Sequence, residues 1–174
     1  MHSPLILTTS PRPNGNSDDA AQMLSKELNN HPVTTLRNFN IQHCIGCLDC
    51  ENSATCGIQD DFNKVWQTFR TAKTVVLIIP VYWCAPPGLC KDFIDRTVAF
   101  FDEEPLKGKT VHLVSIAQSA GFELQEKMIE KWVVWLGGSK LRSKTRIIAF
   151  HQGELLKNKS AIRKLKQLAS SLQA

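Results

Sequence analysis

A chain of 174 residues with 43% hydrophobic and 21% charged side chains is long enough to bury a sizeable core as one domain, residues 1–174, without disulfide support. No basic leader and no run of about 18 apolar residues occurs, which excludes a bilayer-spanning helix and gives the expectation of a cytoplasmic protein. The net charge of +5 suits an anionic small ligand such as a nucleotide.

In chain order, LILTT (5–9) is the first expected strand and 17–29 the first amphipathic helix. VTTLRNF (33–39) is the second strand, followed by an irregular stretch, 40–60, of a length that usually carries function. Phe62, Val65, Trp66 and Phe69 recur with helical period before the strand TVVLIIP (74–80) and a helix over 89–101. TVHLVSIA (110–117) is the fourth strand, and Leu124, Met128, Ile129, Trp132, Val133 and Leu136 mark the next helix. TRIIAF (145–150) and a helix over 154–172 complete the chain. Lys157, Lys159, Arg163, Lys164 and Lys166 alternate with Ile162, Leu165, Leu168 and Leu172 at helical spacing, so a solvated helix face is favoured over a nucleic-acid patch. The alternation predicts an α/β doubly wound five-stranded parallel sheet, order 2-1-3-4-5, with helices on both faces. Ligands of such sheets bind beyond the carboxyl ends of the strands, at the switch point between strands one and three.

Three loops reach that edge. SPRPNGNS (10–17) joins short polar donors, a turn-permitting Gly15 and the fork of Arg12 to a helix N-terminus, a phosphate cradle in outline. A solvated turn accounts for Ser17 and Gly15 but leaves Arg12 unexplained. The spacing is neither that of a dinucleotide fingerprint nor that of a nucleoside triphosphatase loop, so a monophosphate fits better. PVYW (80–83) supplies an aromatic wall or a core cap, and AQSAGFE (117–123) a small polar rim. Cradle, wall and rim together have the outline of FMN.

Cys44, Cys47, Cys50 and Cys56 fall within CIGCLDCENSATC. The first three follow the C-x-x-C-x-x-C spacing of ferredoxins, in which thiolates hold three corners of a [4Fe-4S] cube; Cys56 is the candidate fourth ligand. Zinc prefers separated pairs and fits less well. Loop-packing thiols or a subunit contact remain open alternatives. His43, Asp60 and Asp61 read as a solvated histidine and two helix-start acids, and Cys84 as a buried small hydrophobe.

SPRPNGNS, the cysteine run with Asp60-Asp61, and PVYW followed by KDFIDR resemble the NAD(P)H-dependent FMN reductase family, most of all its iron-sulfur flavoprotein branch. Thr9, where relatives often have glycine, and the extra thiols Cys84 and Cys90 depart from the pattern. The resemblance implies a flavodoxin-like fold with a cysteine-rich loop at 43–60. Ser10, Arg12, Asn14, Asn16 and Ser17 would hold the FMN phosphate. Pro80, Val81, Tyr82, Trp83, Ala117, Gln118, Ser119 and Gly121 would border the isoalloxazine. It further implies electron transfer from NAD(P)H through FMN to a quinone, another small acceptor or a redox partner, in a homodimer or homotetramer. A non-enzymatic flavin or iron-sulfur electron carrier is the alternative, and a zinc-stabilised binding protein a weaker one. Neither nucleic acid nor a membrane is an expected partner.

Overall fold

The computed structural model describes residues 4–53 and 55–173; both ends of the expected domain, and Ala54 within the cysteine loop, lie outside the described residues. Five parallel strands pair in the order β2-β1-β3-β4-β5: β1 (Leu5–Thr8), β2 (Val33–Thr35), β3 (Thr74–Pro80), β4 (Thr110–Ala117) and β5 (Ser143–Ile148). This is the flavodoxin-like order, and among the described residues no helix is long and apolar enough to cross a membrane.

The side-chain period of two sorts each central strand onto two cores. Leu5, Leu7, Val75, Leu77, Ile79, Val111 and Leu113 face one side, where α3 (Phe62–Thr71), α4 (Gly88–Arg96) and α5 (Phe122–Trp135) lie. Their core is aromatic, with Trp66 stacked on Phe100 at 4.9 Å and on Phe69 at 5.5 Å between ring centroids. Ile6, Val76, Ile78, Val114, Ile116 and Ile147 face the other side, packed by α1 (Asn16–Glu27) and α6 (Lys159–Gln173) through Ala20, Ala21, Leu24, Leu165 and Leu168. The late basic residues lie on the exposed face of α6 and the turn before it.

Local expectations differ in several places, and the helix expected over 89–101 ends at Arg96 and passes into a 3-10 segment, Thr97–Glu103. The strand expected over 33–39 stops at Thr35 because Leu36–Asn38 winds into a 3-10 turn that buries Leu36. Within the irregular 40–60 stretch, Asp49–Ser53 forms a short helix, α2. Leu124 is 64% exposed: α5 begins at Phe122, and Phe122, Gln125, Glu126, Ile129, Trp132 and Val133 take the inward face instead.

Candidate functional site

A cavity of about 610 Å³ opens at the carboxyl edge of β1, β3 and β4, within the size range of cofactor sites. Ser10, Arg12, Asn16 and Ser17 line one end, Pro80, Val81, Tyr82 and Trp83 a wall, and Ala117, Gln118, Ser119 and Gly121 the rim. Asn14 alone of the expected set does not line it. Its backbone, at φ 54°, is tied instead to Asp18 Oδ2 (2.7 Å) and Gln152 Nε2 (2.7 Å). Ala149 and Phe150 also line the cavity. Sequence reading missed them because it ran the last strand to Phe150, whereas β5 ends at Ile148 and releases both to the edge.

Gly15 precedes α1 in an extended conformation, its carbonyl accepting from the amides of Asp18 and Asp19 at 2.9 and 3.1 Å. The amides of Asn16 and Ser17 have no intrahelical acceptor and stand at the positive end of the helix dipole. Over them folds Arg12: a Cβ on Gly15 would lie 3.1 Å from its Nε and 3.3 Å from Nη2. The Ser10 hydroxyl closes a turn, accepting from the Arg12 amide at 3.3 Å and donating to its carbonyl at 3.2 Å. The Asn16 side chain is committed to structure, donating to the carbonyls of Ala149 (3.4 Å) and His151 (3.0 Å) and accepting from the Leu155 amide (3.3 Å). Arg12, the Ser17 hydroxyl and two helix amides therefore remain for an anion.

Asp18 braces this loop. It accepts from Arg37 at 2.9 and 3.0 Å, and Arg37 also donates to the Ser10 carbonyl at 3.3 Å. Neither residue stood out in the sequence, where Asp18 reads as a first-turn acid and Arg37 as part of a strand. The neighbouring Asp19 carboxyl has its pKa raised, by burial first and by the Asp18 charge second.

After β3, Tyr82 and Ala85 pair through two backbone bonds, Tyr82 donating at 2.8 Å and Ala85 at 3.1 Å, around Trp83 and Cys84 at φ 50° and 65°. Both central residues occupy the left-handed region that glycine and asparagine normally take, a strain of about 1 kcal/mol or more each. The turn presents Trp83 fully exposed at the cavity mouth, 100% accessible. It rests on Gly121 (φ 90°), where a Cβ would stand 3.1 Å from Cys84 Cα, Cys84 Sγ and Val81 Cγ1. Cys84, expected to be buried, is exposed because the turn projects beyond the sheet. Cys90 is the buried thiol; burial pushes its pKa up to about 12 against a hydrogen bond with Thr9 that lowers it.

A second cavity, of about 620 Å³, is lined by Cys44, Cys47, Cys50 and Cys56 with Arg96 and residues 98–103. Cys44 and Cys47 are exposed, Cys50 and Cys56 half-buried, and all four are free thiols. Burial raises the Cys50 pKa against a bond from its own amide that lowers it, and the nearby Cys56, Cys47 and Cys44 add to the rise. Among the described residues no three His, Cys, Asp or Glu side chains stand at metal-holding positions. The donor set alone suits a thiolate-held cluster: four cysteine sulfurs line one cavity, although they do not stand at ligating positions, and a guanidinium N–H is aimed at one of them.

That guanidinium belongs to Arg96, 1% exposed, which the sequence showed only as the last residue of KDFIDR inside the helix expected over 89–101. Nε donates to Cys56 Sγ at 2.9 Å, Nη1 to the Gln42 carbonyl at 3.1 Å, and Nη2 to the Ile58 carbonyl at 3.2 Å. Asp60 holds the fork from the far side at 2.8 and 3.2 Å, and the cation lies 4.7 Å over the Phe62 ring. Asp60 also accepts from the amides of Gln42 (2.8 Å) and Phe62 (2.9 Å), and Asp61 accepts from the Asn40 amide (3.0 Å). The expected helix-start acids thus also fasten the neck of the loop, joining 40–42 to 58–62. Burial alone would raise the Asp60 pKa, but its bonds from Arg96, Gln42 and Phe62 win and hold it below the ordinary carboxylate value.

The two cavities share no lining residue. Between them runs α4, from Gly88 after the wall loop to Arg96 at the cysteine cavity, about 12 Å at 1.5 Å rise per residue.

A cavity at the switch point of a five-stranded flavodoxin-like sheet is the arrangement of flavin-binding folds. The model of the NADPH-dependent FMN reductase family matches residues 4–153, and the chain belongs to that family. Among curated proteins it is similar to an iron-sulfur flavoprotein of Archaeoglobus fulgidus, 30% identical over 58% of this chain and 47% of the relative. An iron-sulfur flavoprotein of Methanosarcina thermophila is 27% identical over 75% of this chain and 70% of the relative. The chain thus spans about half the length of the first of these relatives. Among solved structures, a putative quinone reductase from Klebsiella pneumoniae superposes with a TM-score of 0.75 at 15% identity, over 99% of this chain and 85% of the other. The Trp repressor binding protein from Bacillus subtilis gives 0.72 at 16% identity, over 95% and 97%. These structural likenesses concern the fold.

Proposed function

We propose that the chain is an FMN-dependent oxidoreductase that takes electrons from NAD(P)H and passes them to a quinone, another small acceptor or a redox partner. One observation carries the reading: cradle, aromatic wall and polar rim, inferred from separate loops, converge on a single cavity at the switch point. FMN bound there would supply hydride acceptance from nicotinamide and onward electron transfer. The chain's part is to hold and orient. Arg12, Ser17 and the amides opening α1 take the phosphate dianion; Val81, Tyr82 and Trp83 flank the flat ring; Gln118, Ser119 and Gly121 border its polar edge. The free thiols suit a reducing cytoplasm.

Stopped-flow mixing of the FMN-loaded protein with NADH and with NADPH tests this. Rapid bleaching of the oxidised flavin band by either supports the reductase, and no bleaching by both leaves an electron carrier reduced by a partner. We further propose that Cys44, Cys47, Cys50 and Cys56 hold a [4Fe-4S] cluster, a reading supported by their shared cavity and by the iron-sulfur flavoprotein relatives. Anaerobic reconstitution should give about four iron per chain, lost in Cys47→Ser and retained in Cys84→Ser. Stoichiometric zinc would overturn it.

We also propose a homodimer built on the face beside α4 and α5. An apolar groove of about 540 Å³ there, lined by Val98, Phe101, Leu124, Trp132 and Trp135, runs into the cysteine cavity through the shared Val98 and Phe101. Exposed Lys127 and Lys131 line the groove, beside the paired Lys91 and Asp95, and exposed Glu51 and Asp102 line the cysteine cavity. A two-fold axis between groove and cavity would set those two lysines against the two acids of the second copy, the self-complementarity an isologous contact requires.

A further inference from the structure

The side chain most heavily engaged in the cysteine loop is not a cysteine. Arg96 is buried, makes five hydrogen bonds, and has its positive charge balanced by Asp60, so it is already fixed before any ligand arrives. Four of its five N–H donors point at the two ends of the loop, at Gln42, Ile58 and Asp60, and the fifth, Nε–H, points into the cavity at Cys56 Sγ. A buried guanidinium is costly unless satisfied, and this one is satisfied in part by a sulfur. Among the described residues, none of the other three cysteine sulfurs accepts from a charged side chain; Cys50 has only its own backbone amide. The four thiols are therefore unequal.

We propose that Arg96 is the positioning residue of the cysteine cavity: it closes the loop neck and, by donating to the Cys56 sulfur, fixes that sulfur as the anchored corner and sets the reduction potential of a cluster held there. The inference rests on the cluster reading given above. Three physical consequences follow. An N–H donor to a coordinating sulfur withdraws electron density from it and favours the reduced cluster, so the bond holds the potential up. A neck closed by Arg96, Asp60 and Asp61 fixes the two ends of the loop and the Cys56 sulfur before metal arrives, which lowers the ordering cost of bringing Cys44, Cys47 and Cys50 to it. The indirect route through Cys56 also means that Arg96 never touches the flavin cavity, so its loss should leave FMN binding intact.

The experiment uses the full chain, reconstituted with iron and sulfide under anaerobic conditions. Arg96→Lys keeps the charge facing Asp60 but removes the Nε–H aimed at sulfur. The double variant Asp60→Asn/Arg96→Gln removes both charges together, so that no stranded ion prevents folding. Asp61→Asn loosens the neck without touching Arg96 or Cys56. Cluster loss to a chelator, the cluster midpoint potential, hydrogen exchange across 42–60, and FMN content are read in each. Both Arg96 variants should bind FMN as the parent does, lose the cluster about 10- to 100-fold faster, and show a more negative potential. Asp61→Asn should speed exchange at the neck with the potential unmoved. If the parent chain holds iron and the Arg96 variants match it in lability and potential, the positioning role is overturned and the cluster reading stands. If the parent chain takes up no iron, the cluster reading falls and this inference falls with it.

Discussion

Arg12 and Arg96 show how one residue type does two jobs according to what surrounds it. The Arg12 guanidinium is exposed, folds over Gly15 beside the free amides of α1, and is matched in charge and shape to a phosphate. Arg12→Ala should weaken FMN by about 1.5–3 kcal/mol, the range for hydrogen bonds to charged groups, and change riboflavin binding little. Titration by flavin fluorescence checks it, and equal losses for both ligands would remove phosphate from the account. Arg96 is buried against Asp60, and a buried pair deprived of one partner strands the other. Asp60→Asn should therefore cost about 3–5 kcal/mol in urea unfolding, far more than Asp61→Asn at its partly exposed site. The Asp60 carboxyl is held below its ordinary value of 3.8, so the native state binds its proton less tightly than the unfolded chain does. Its contribution to stability is thus full above that ordinary value and is lost as pH falls through the lower native one. Acid titration of the parent should show a loss of stability in that window that Asp60→Asn lacks.

At the scale of elements, two loops form the mouth of the flavin-type cavity by leaning on one another. Gly121 is the contact: its φ of 90° is strained for any side chain, and a Cβ would press on Cys84 backbone at 3.1 Å. Gly153 has a similar φ of 74° but open space around it. Gly121→Ala and Gly153→Ala should therefore share a backbone cost of about 1–2 kcal/mol, while only Gly121→Ala moves the Tyr82–Ala85 turn and weakens FMN. Thermal melts and flavin titration of the pair separate strain from contact. The same elements show what was legible beforehand. TVVLIIP and TVHLVSIA coincide with β3 and β4 because strands buried on both faces read as unbroken apolar runs. Edge strand β2 did not, since VTTLRNF is equally compatible with a short strand entering a 3-10 turn. The loop lining was legible because turn residues advertise their chemistry locally. The neck was not: Arg96 meets Gln42, Cys56 and Asp60 across 36 to 54 residues of sequence, and nothing in KDFIDR distinguishes an arginine bound for burial from one at a solvated helix end.

For the molecule as a whole, the distribution of exposed apolar side chains bears on the proposed homodimer. Among the described residues twelve large hydrophobic side chains are exposed, and six of them, Ile45, Leu48, Val98, Phe101, Leu124 and Trp135, line the two confluent cavities beside α4 and α5. Scattered singly they would need no explanation, but gathered on one face they form a patch of the kind that marks an interface. Covering it would bury the exposed Cys44 and Cys47 as well, shielding the sulfurs from solvent and oxidant. The flavin-type cavity shares no lining residue with this face, so dissociation should leave FMN in place. Sedimentation of the parent chain at micromolar concentration should show a dimer or larger species. Trp135→Glu combined with Phe101→Glu, which buries two carboxylates against an apolar partner surface, should give a folded monomer that still binds FMN and whose Cys44 and Cys47 are alkylated faster than in the parent. A parent that sediments as a monomer would overturn the dimer, a double variant that remains dimeric would move the contact to another face, and either would leave the α4–α5 groove without a second copy to cover it.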